Sequence, residues 1–278
     1  MKTSRQATLI KGLSLMLPER RQDIDRFTVL MDAARLPTVA VIGKYNHGKS
    51  QLLNALIGQD IFVVSDSRQT VKLDDVVHSE VRWVDTPGLD ADVASEDDRL
   101  ALQGAWLESD ARLFVHAAKE GELDQSELSF LQQLREDDAA SQRQTLFVLT
   151  QTDQLASQKD VEEVMSRIQS QTPGMEIFPV SSSLYQQGQK GAKSLLVNTS
   201  GVPFFREILT VTIAKIAQRR SHEIAAAAQS FSADVALVRQ KQETKSSALH
   251  RQQSAAQDAF KYELGALIQS LSKKLAEA

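Results

Sequence analysis

The sequence predicts an α/β fold: a three-layer domain with a mainly parallel sheet, flanked by N-terminal helices and a long C-terminal helical extension. Three observations predict it. Short β-branched runs alternate with stretches of helical period between residues 38 and 180. A glycine-bearing loop joins the first such run to the helical stretch after it. Residues 202–278 then carry one proline, Pro203, and one glycine, Gly265, so little interrupts a helix there.

Taken in order, Leu9, Ile10, Leu13, Leu17, Ile24, Phe27, Leu30 and Met31 recur at helical spacing, and Pro18 divides the stretch into two helices. Thr38–Gly43 reads as a buried strand, and Ser50–Ile57 as a helix that stops at Gly58. Thr70–Val77 and Val81–Asp85 read as two strands with a tight turn near His78–Glu80. Further strands are expected at Ala111–Ala117, Thr145–Thr150 and Met175–Val180, with helices at Gln125–Leu134 and Lys159–Gln169. Residues 184–201 are polar and read as a loop. Beyond them the chain reads as one long helix or a helical hairpin, with apolar stripes at Ile224, Phe231, Val235, Val238 and at Leu264, Leu267, Ile268, Leu271, Leu275. The expected parts are an N-terminal helical segment (1–36), the α/β domain (37–200) and the C-terminal extension (201–278).

Composition sets bounds. There is no cysteine, so no disulfide or thiolate metal site. The five histidines show no ligand spacing, so no zinc site is expected. No run approaches the roughly 18 apolar residues of a membrane span, and the N-terminus lacks a signal-peptide pattern, so a cytoplasmic protein is expected. The net charge of −4 hides an asymmetry: +3 over residues 1–36, −11 over 37–200 and +4 over 201–278. We read the basic flanks as packing beside the acidic middle. No basic patch interleaved with aromatics points to nucleic acid, and Trp83 and Trp106 read as packing residues.

Gly43-Lys44-Tyr45-Asn46-His47-Gly48-Lys49-Ser50 fits G-x-x-x-x-G-K-[ST] between a strand and a helix. Gly43 and Gly48 allow a tight loop whose N–H groups face phosphate. Lys49 would bridge β- and γ-phosphates, and the Ser50 hydroxyl would ligate Mg2+. Tyr45 and His47 read as loop side chains facing outward or covering the nucleotide. Asp85-Thr86-Pro87-Gly88 follows a strand 35 residues after Ser50; Asp85 can hold Mg2+ through a water, and the Gly88 amide can reach the γ-phosphate. Thr70 is placed to reach Mg2+ from a flexible loop, with Ser65 and Ser67 as competitors. At the end of a later strand, Thr150-Gln151-Thr152-Asp153 offers a carboxylate that can accept from guanine N1 and the 2-amino group. Ser181-Ser182-Ser183 follows the next strand, where a backbone N–H can donate to guanine O6. Asp124 reads as an N-cap, the acids of 119–127 as a solvated helix start, and Glu96, Asp97 and Asp98 as a solvated face.

These five segments, in this order, resemble the G domain of translation-factor-class small GTPases. GKYNHGKSQLLNALIG in particular is similar to the P-loops of bacterial dynamin-like and HSR1/Era-like groups. The resemblance implies a P-loop NTPase G domain over about residues 38–183, with GTP or GDP as ligand and Mg2+ as cofactor. It implies roles in turnover for Lys49, Thr70 and Asn46, nucleotide contacts that extend to Gln51, and a K+ ion as a further ligand near Asn46. It also implies a homodimer across the G domain or helical arms, a protein partner on helices 202–278, and peripheral membrane contact as one variant. Two departures stand out. Gln151 replaces the lysine of the guanine motif, and Leu89 stands where Ras-like proteins carry a water-orienting glutamine. Slow intrinsic GTP hydrolysis is therefore expected, raised by dimerisation or a partner. A nucleotide-gated interaction module and an Era-type ribosome-assembly GTPase are the alternatives.

Overall fold

The computed structural model describes residues 2–63, 74–89 and 104–276. Thr70, Ser65, Ser67 and Glu96–Asp98 lie outside the described residues. The expectations placed on them go no further here.

The elements run α1 (Lys2–Met16), α2 (Arg21–Leu30), β1 (Thr38–Ile42), α3 (Lys49–Ile57), β2 (Asp74–His78), β3 (Val81–Asp85), β4 (Ala111–Ala117), α4 (Gln125–Ser141), β5 (Gln144–Thr150), α5 (Gln158–Gln171), β6 (Ile177–Pro179), α6 (Ser182–Lys190), α7 (Ser194–Thr199), α8 (Val202–Ala214) and α9 (Ile216–Ala276). The strands form one six-stranded sheet in the order β2-β3-β1-β4-β5-β6. Only β2 is antiparallel to its neighbour, so the sheet is mainly parallel as expected. β1, β4 and β5 are apolar on both faces because each face is covered. One face packs Val39, Val41, Leu113 and Val148 with α3, α6 and α8. The other packs Ile42, Phe114, Phe147 and Leu149 with α4 and α5. β1 lies between β3 and β4, so the loops after β1 and β3 open into the crevice where strand order reverses.

The tight turn expected near His78–Glu80 is there, with Ser79 and Glu80 both in the left-handed region at φ 50° and 61°. Two expectations need correction, and a third alternative is decided. First, residues 184–201 hold α6 and α7 instead of a loop. Ser181 caps α6 by accepting from the Leu184 N–H at 3.0 Å, and Gly188 lets Val197 approach so closely that a Cβ there would meet it at 2.8 Å. The inward positions Ser182, Tyr185 and Gly188 are mostly not apolar, so the helical period is hidden. Second, α4 runs on to Ser141. Its last turns carry Asp137 and Asp138, which grip the fully buried Arg112 of β4. Of the two readings of the C-terminal segment, the long helix holds and the hairpin alternative does not: after a break at Lys215 it is one helix to Ala276. Its Ala, Gln, Lys and Arg content favours helix, and a side chain at Gly265 would meet open space.

The chain divides into two compact units, residues 22–227 and residues 1–21 with 228–278. In the second, Leu13, Leu17 and Phe231 are buried, and Arg20 pairs with Asp234 while lying 5.2 Å from the Phe231 ring centroid. Leu264, Leu267, Ile268 and Leu271 are exposed. In the first, a buried ionic network sits at the N-terminal ends of β1 and β4. Asp110 accepts from Arg26, Arg35 and Arg220 and from the Thr38 N–H, and Arg26 also holds Glu223 at 2.9 Å. It fixes the segment after α2 and the first turns of α9 under the sheet, at the opposite end from the loops described next.

Candidate nucleotide site

β1 delivers the chain to Gly43, whose lack of a side chain is required: a Cβ would sit 2.2 Å from the Val115 carbonyl. The loop turns through Asn46 (φ 58°) and Gly48 (φ 80°), and Gly48 is the N-cap of α3. Lys49 Nζ folds back to donate to the Gly43 and Lys44 carbonyls at 3.0 and 2.9 Å. An ammonium held over the loop mouth is placed to meet phosphate.

Strand β3 delivers Asp85 beside this loop, and the Ser50 hydroxyl donates to its carboxylate. Burial pushes the Asp85 carboxyl above its ordinary range, only partly offset by the Ser50 hydrogen bond and the Lys49 charge. Its second oxygen, Oδ1, is buried without a hydrogen-bond partner. Two adjacent hard oxygen donors, one carboxylate oxygen unsatisfied, suit a Mg2+ ion with its waters. The turn after Asp85 is stitched to the P-loop. Thr86 Oγ1 donates to Val41 O at 2.8 Å and the Leu89 N–H to Gly43 O at 3.2 Å. Gly88 lies so close to Tyr45 that a Cβ would meet its backbone nitrogen at 2.6 Å. Gly88→Ala should therefore pry the two loops apart and weaken nucleotide affinity about tenfold or more while costing about 1–3 kcal/mol of stability. Fluorescent-nucleotide titration beside a thermal melt separates the two effects.

At the other end, Thr150 Oγ1 donates to His47 O at 2.6 Å and Gln151 Nε2 donates to Asn46 O at 2.7 Å. Both motif residues thus brace the P-loop from behind. Asp153 accepts from Ser181 Oγ at 2.5 Å, which draws the loops after β5 and β6 together. Gln51 Nε2 reaches Ser183 Oγ at 3.2 Å, so its side chain ties α3 to the same corner. Gln151 Oε1, Ser182 Oγ and Tyr45 Oη are buried without partners. The predicted site residues that fall within the described residues are thus brought together, Gly43 to Ser50 with Asp85 and Gly88 at one end, Gln51, Thr150, Gln151, Asp153, Ser181 and Ser182 at the other.

Two readings change. The His47 side chain does not face outward or cover a ligand; it is buried beneath the loop, with Nδ1 3.3 Å from the Val115 carbonyl. Glu127 is not solvated either: it is buried and 2.8 Å from His116 Nδ1. The Asp124 cap does form, as a capping box with Glu127. The sequence spacing of His47, His116 and Glu127 gave no sign of their meeting; the D-x-x-E of the capping box was the one legible signal. Leu89 packs against the core face that holds Phe114 and Phe147.

The family model described as 50S ribosome-binding GTPase matches residues 38–151, the segment that runs from β1 through the P-loop and Asp85 to Gln151. Residues 38–151 are thus similar to the P-loop G domain of HSR1-type GTPases. Among relatives, an uncharacterised protein of Acinetobacter baylyi is 46% identical over 218 residues, covering 78% of this chain and 52% of that protein. GTPase Era of Nitratidesulfovibrio vulgaris is 30% identical over 168 residues, 57% of this chain and 54% of that protein. The chain therefore spans about half the length of these curated relatives. Two solved structures of a bacterial dynamin pair, described as sensing and tethering membranes, align over 95% and 99% of this chain. Their TM-scores are 0.55 and 0.54, at 16% and 17% identity, over 50% and 63% of those chains; this is a likeness of fold alone.

Proposed function

We propose that the G domain binds GTP with Mg2+ and hydrolyses it to GDP and phosphate, slowly when alone. The observation that carries the reading is the Ser50–Asp85 contact, with a buried unpartnered carboxylate oxygen, in register with a P-loop whose lysine caps its mouth. In this reading Ser50 ligates the ion and Asp85 holds it through a water. The ion supplies charge neutralisation at the phosphates. Lys49 holds the β- and γ-phosphate oxygens, and the Gly88 N–H faces the γ-phosphate. Asp153 selects guanine through N1–H and the 2-amino group, with a backbone N–H at Ser181–Ser182 on O6.

Gln151 keeps one part of the work of a lysine at this position. It donates to the P-loop carbonyl but leaves its own Oε1 buried and unpaired. Gln151→Lys should remove that orphan acceptor and restore a charge, tightening GDP binding by up to about tenfold. Calorimetry of the two proteins side by side checks it.

Leu89 is apolar and, partly buried, packs against the core, so the attacking water needs another positioning group. We propose that a second copy supplies it across the G domain or the helical arms. Turnover per chain should then rise with protein concentration; a concentration-independent fast rate would remove the dimer from the account. K+ beside Asn46 draws no support from this geometry. Coupling of nucleotide state to the helical arms, a protein partner on helices 202–278 and peripheral membrane contact rest on the fold likeness to bacterial dynamin and on the exposed residues at Leu264–Leu271. Among the described residues no helix is long and apolar enough to cross a membrane. Liposome co-sedimentation with and without GTP tests the membrane reading. A second reading, an interaction module with little hydrolysis, is favoured by Leu89 alone.

A further inference from the structure

Beneath the P-loop, on the side away from its mouth, three side chains from three segments converge. His47 comes from the loop itself, His116 from the end of β4, and Glu127 from the first turn of α4. All three are buried. One nitrogen or oxygen of each lies within 4.8 Å of the others. The two imidazole rings stand edge to face with centroids 5.1 Å apart.

The polar atoms around the cluster are arranged as a supporting shell. His116 turns Nε2 to the Gly121 carbonyl at 3.1 Å, which leaves Nδ1 facing Glu127 Oε1. Glu127 turns Oε2 to the Asp124 N–H at 3.2 Å and toward Lys44 Nζ at 3.7 Å, which leaves Oε1 facing both rings. His47 Nδ1 lies 3.6 Å from that oxygen. Both His116 ring nitrogens thus face oxygen atoms, and one nitrogen or oxygen from each of the three side chains converges on a single spot. Burial, with the His116 charge adding to it, pushes the His47 imidazole down to about 4, so it stays neutral at pH 7. Burial pushes the Glu127 carboxyl up, but its hydrogen bond with His116 outweighs this and helps hold it below the ordinary carboxylate range. Two imidazoles and a carboxylate, with the outer atoms of His116 and Glu127 held by hydrogen bonds, are a donor set for a borderline divalent ion.

We propose that His47, His116 and Glu127 form a buried site for a Zn2+-class ion that pins the back of the P-loop to β4 and α4. The site is separate from Ser50 and Asp85, whose oxygen donors suit Mg2+. It is a structural site, because its three ligands are closed off from solvent.

The test uses the full chain, stripped with a chelator and then saturated with Mg2+ and GDP so that the oxygen site is occupied. Calorimetry with Zn2+ should give a single tight equivalent, and Co2+ should give the visible absorption of a low-coordinate site. Glu127→Gln and His116→Asn should each weaken uptake by about 100-fold or more, whereas His222→Asn, at an exposed position, should not. Because the first two variants alter a buried network, X-ray absorption of the Zn2+-loaded unaltered chain gives a reading that needs no substitution; it should show two imidazole ligands. No uptake by the folded chain, undiminished uptake in both variants, or a shell without imidazole would each overturn the proposal.

Discussion

Lys49→Ala is expected to weaken nucleotide binding by at least roughly 100-fold and to abolish turnover while leaving the fold in place. The lysine ammonium sits over the loop mouth, donating to the Gly43 and Lys44 carbonyls. Charge-assisted hydrogen bonds contribute about 1.5–3 kcal/mol each, and a phosphate-bridging lysine makes at least two. The expected loss is therefore at least about 3 kcal/mol, or roughly 100-fold in affinity. The strand, the αL turn at Gly48 and helix α3 do not depend on this side chain, so the nucleotide-free melting temperature should stay within a few degrees. Titration with a fluorescent GTP analogue, with a melt in parallel, checks both halves. Affinity within tenfold of the unaltered chain would mean that the loop does not hold phosphate through Lys49.

Asp110→Ala has the largest expected effect on stability. One carboxylate is the common partner of Arg26, Arg35 and Arg220, and it also accepts the Thr38 N–H that starts β1. Removing it leaves three guanidinium groups crowded in a buried site, with only Arg26 retaining a carboxylate, Glu223. Breaking a buried ion pair from one side costs about 3–5 kcal/mol, which for a domain of this size lowers the melting temperature by roughly 10 °C. The pH dependence has a definite sign. Burial pushes the Asp110 carboxyl up, but the three arginines outweigh it and hold it below its ordinary value of 3.8. The folded state thus binds the proton more weakly than the unfolded one. Its stabilising contribution is complete above pH 3.8 and is lost as pH falls through the folded value. Acid unfolding followed by circular dichroism should show a component in that window that is missing from Asp110→Ala.

The sequence was most readable where local rules decide. Thr38–Ile42, Ala111–Ala117 and the Gly58 stop of α3 follow from β-branched runs and a glycine, and the P-loop from spacing between a strand and a helix. What stayed hidden depends on partners far along the chain. The extension of α4 to Ser141 is set by Arg112 and Arg143, which take up Asp137 and Asp138, and nothing in the local pattern of EDDAAS reveals that. Helices α6 and α7 hide because one tyrosine and one close glycine do the packing that a run of leucines would advertise. At the site, Gln151 read locally as a lost charge, while its amide in fact reaches the Asn46 carbonyl 105 positions away. His47 read as a loop side chain because its neighbours His116 and Glu127 are brought to it only by the parallel pairing of β1 with β4.

The same contacts explain why nucleotide recognition would be cooperative across the site. Thr150 and Gln151 hold the back of the P-loop, Gly88 meets its front, and Asp153 is tied to Ser181. Base and phosphate ends are thereby linked through main-chain carbonyls of residues 46 and 47, so a change at either end is felt at the other.

The central claim, a guanine-selective phosphate and Mg2+ site, is tested most directly by calorimetric titration of the chain with GTP, GDP and ATP in the presence of Mg2+. The account predicts one site for GTP and GDP, with ATP weaker by at least about 100-fold because adenine leaves the Asp153 carboxylate without its two donors. Equal or tighter binding of ATP, or no binding of any of the three, would contradict it.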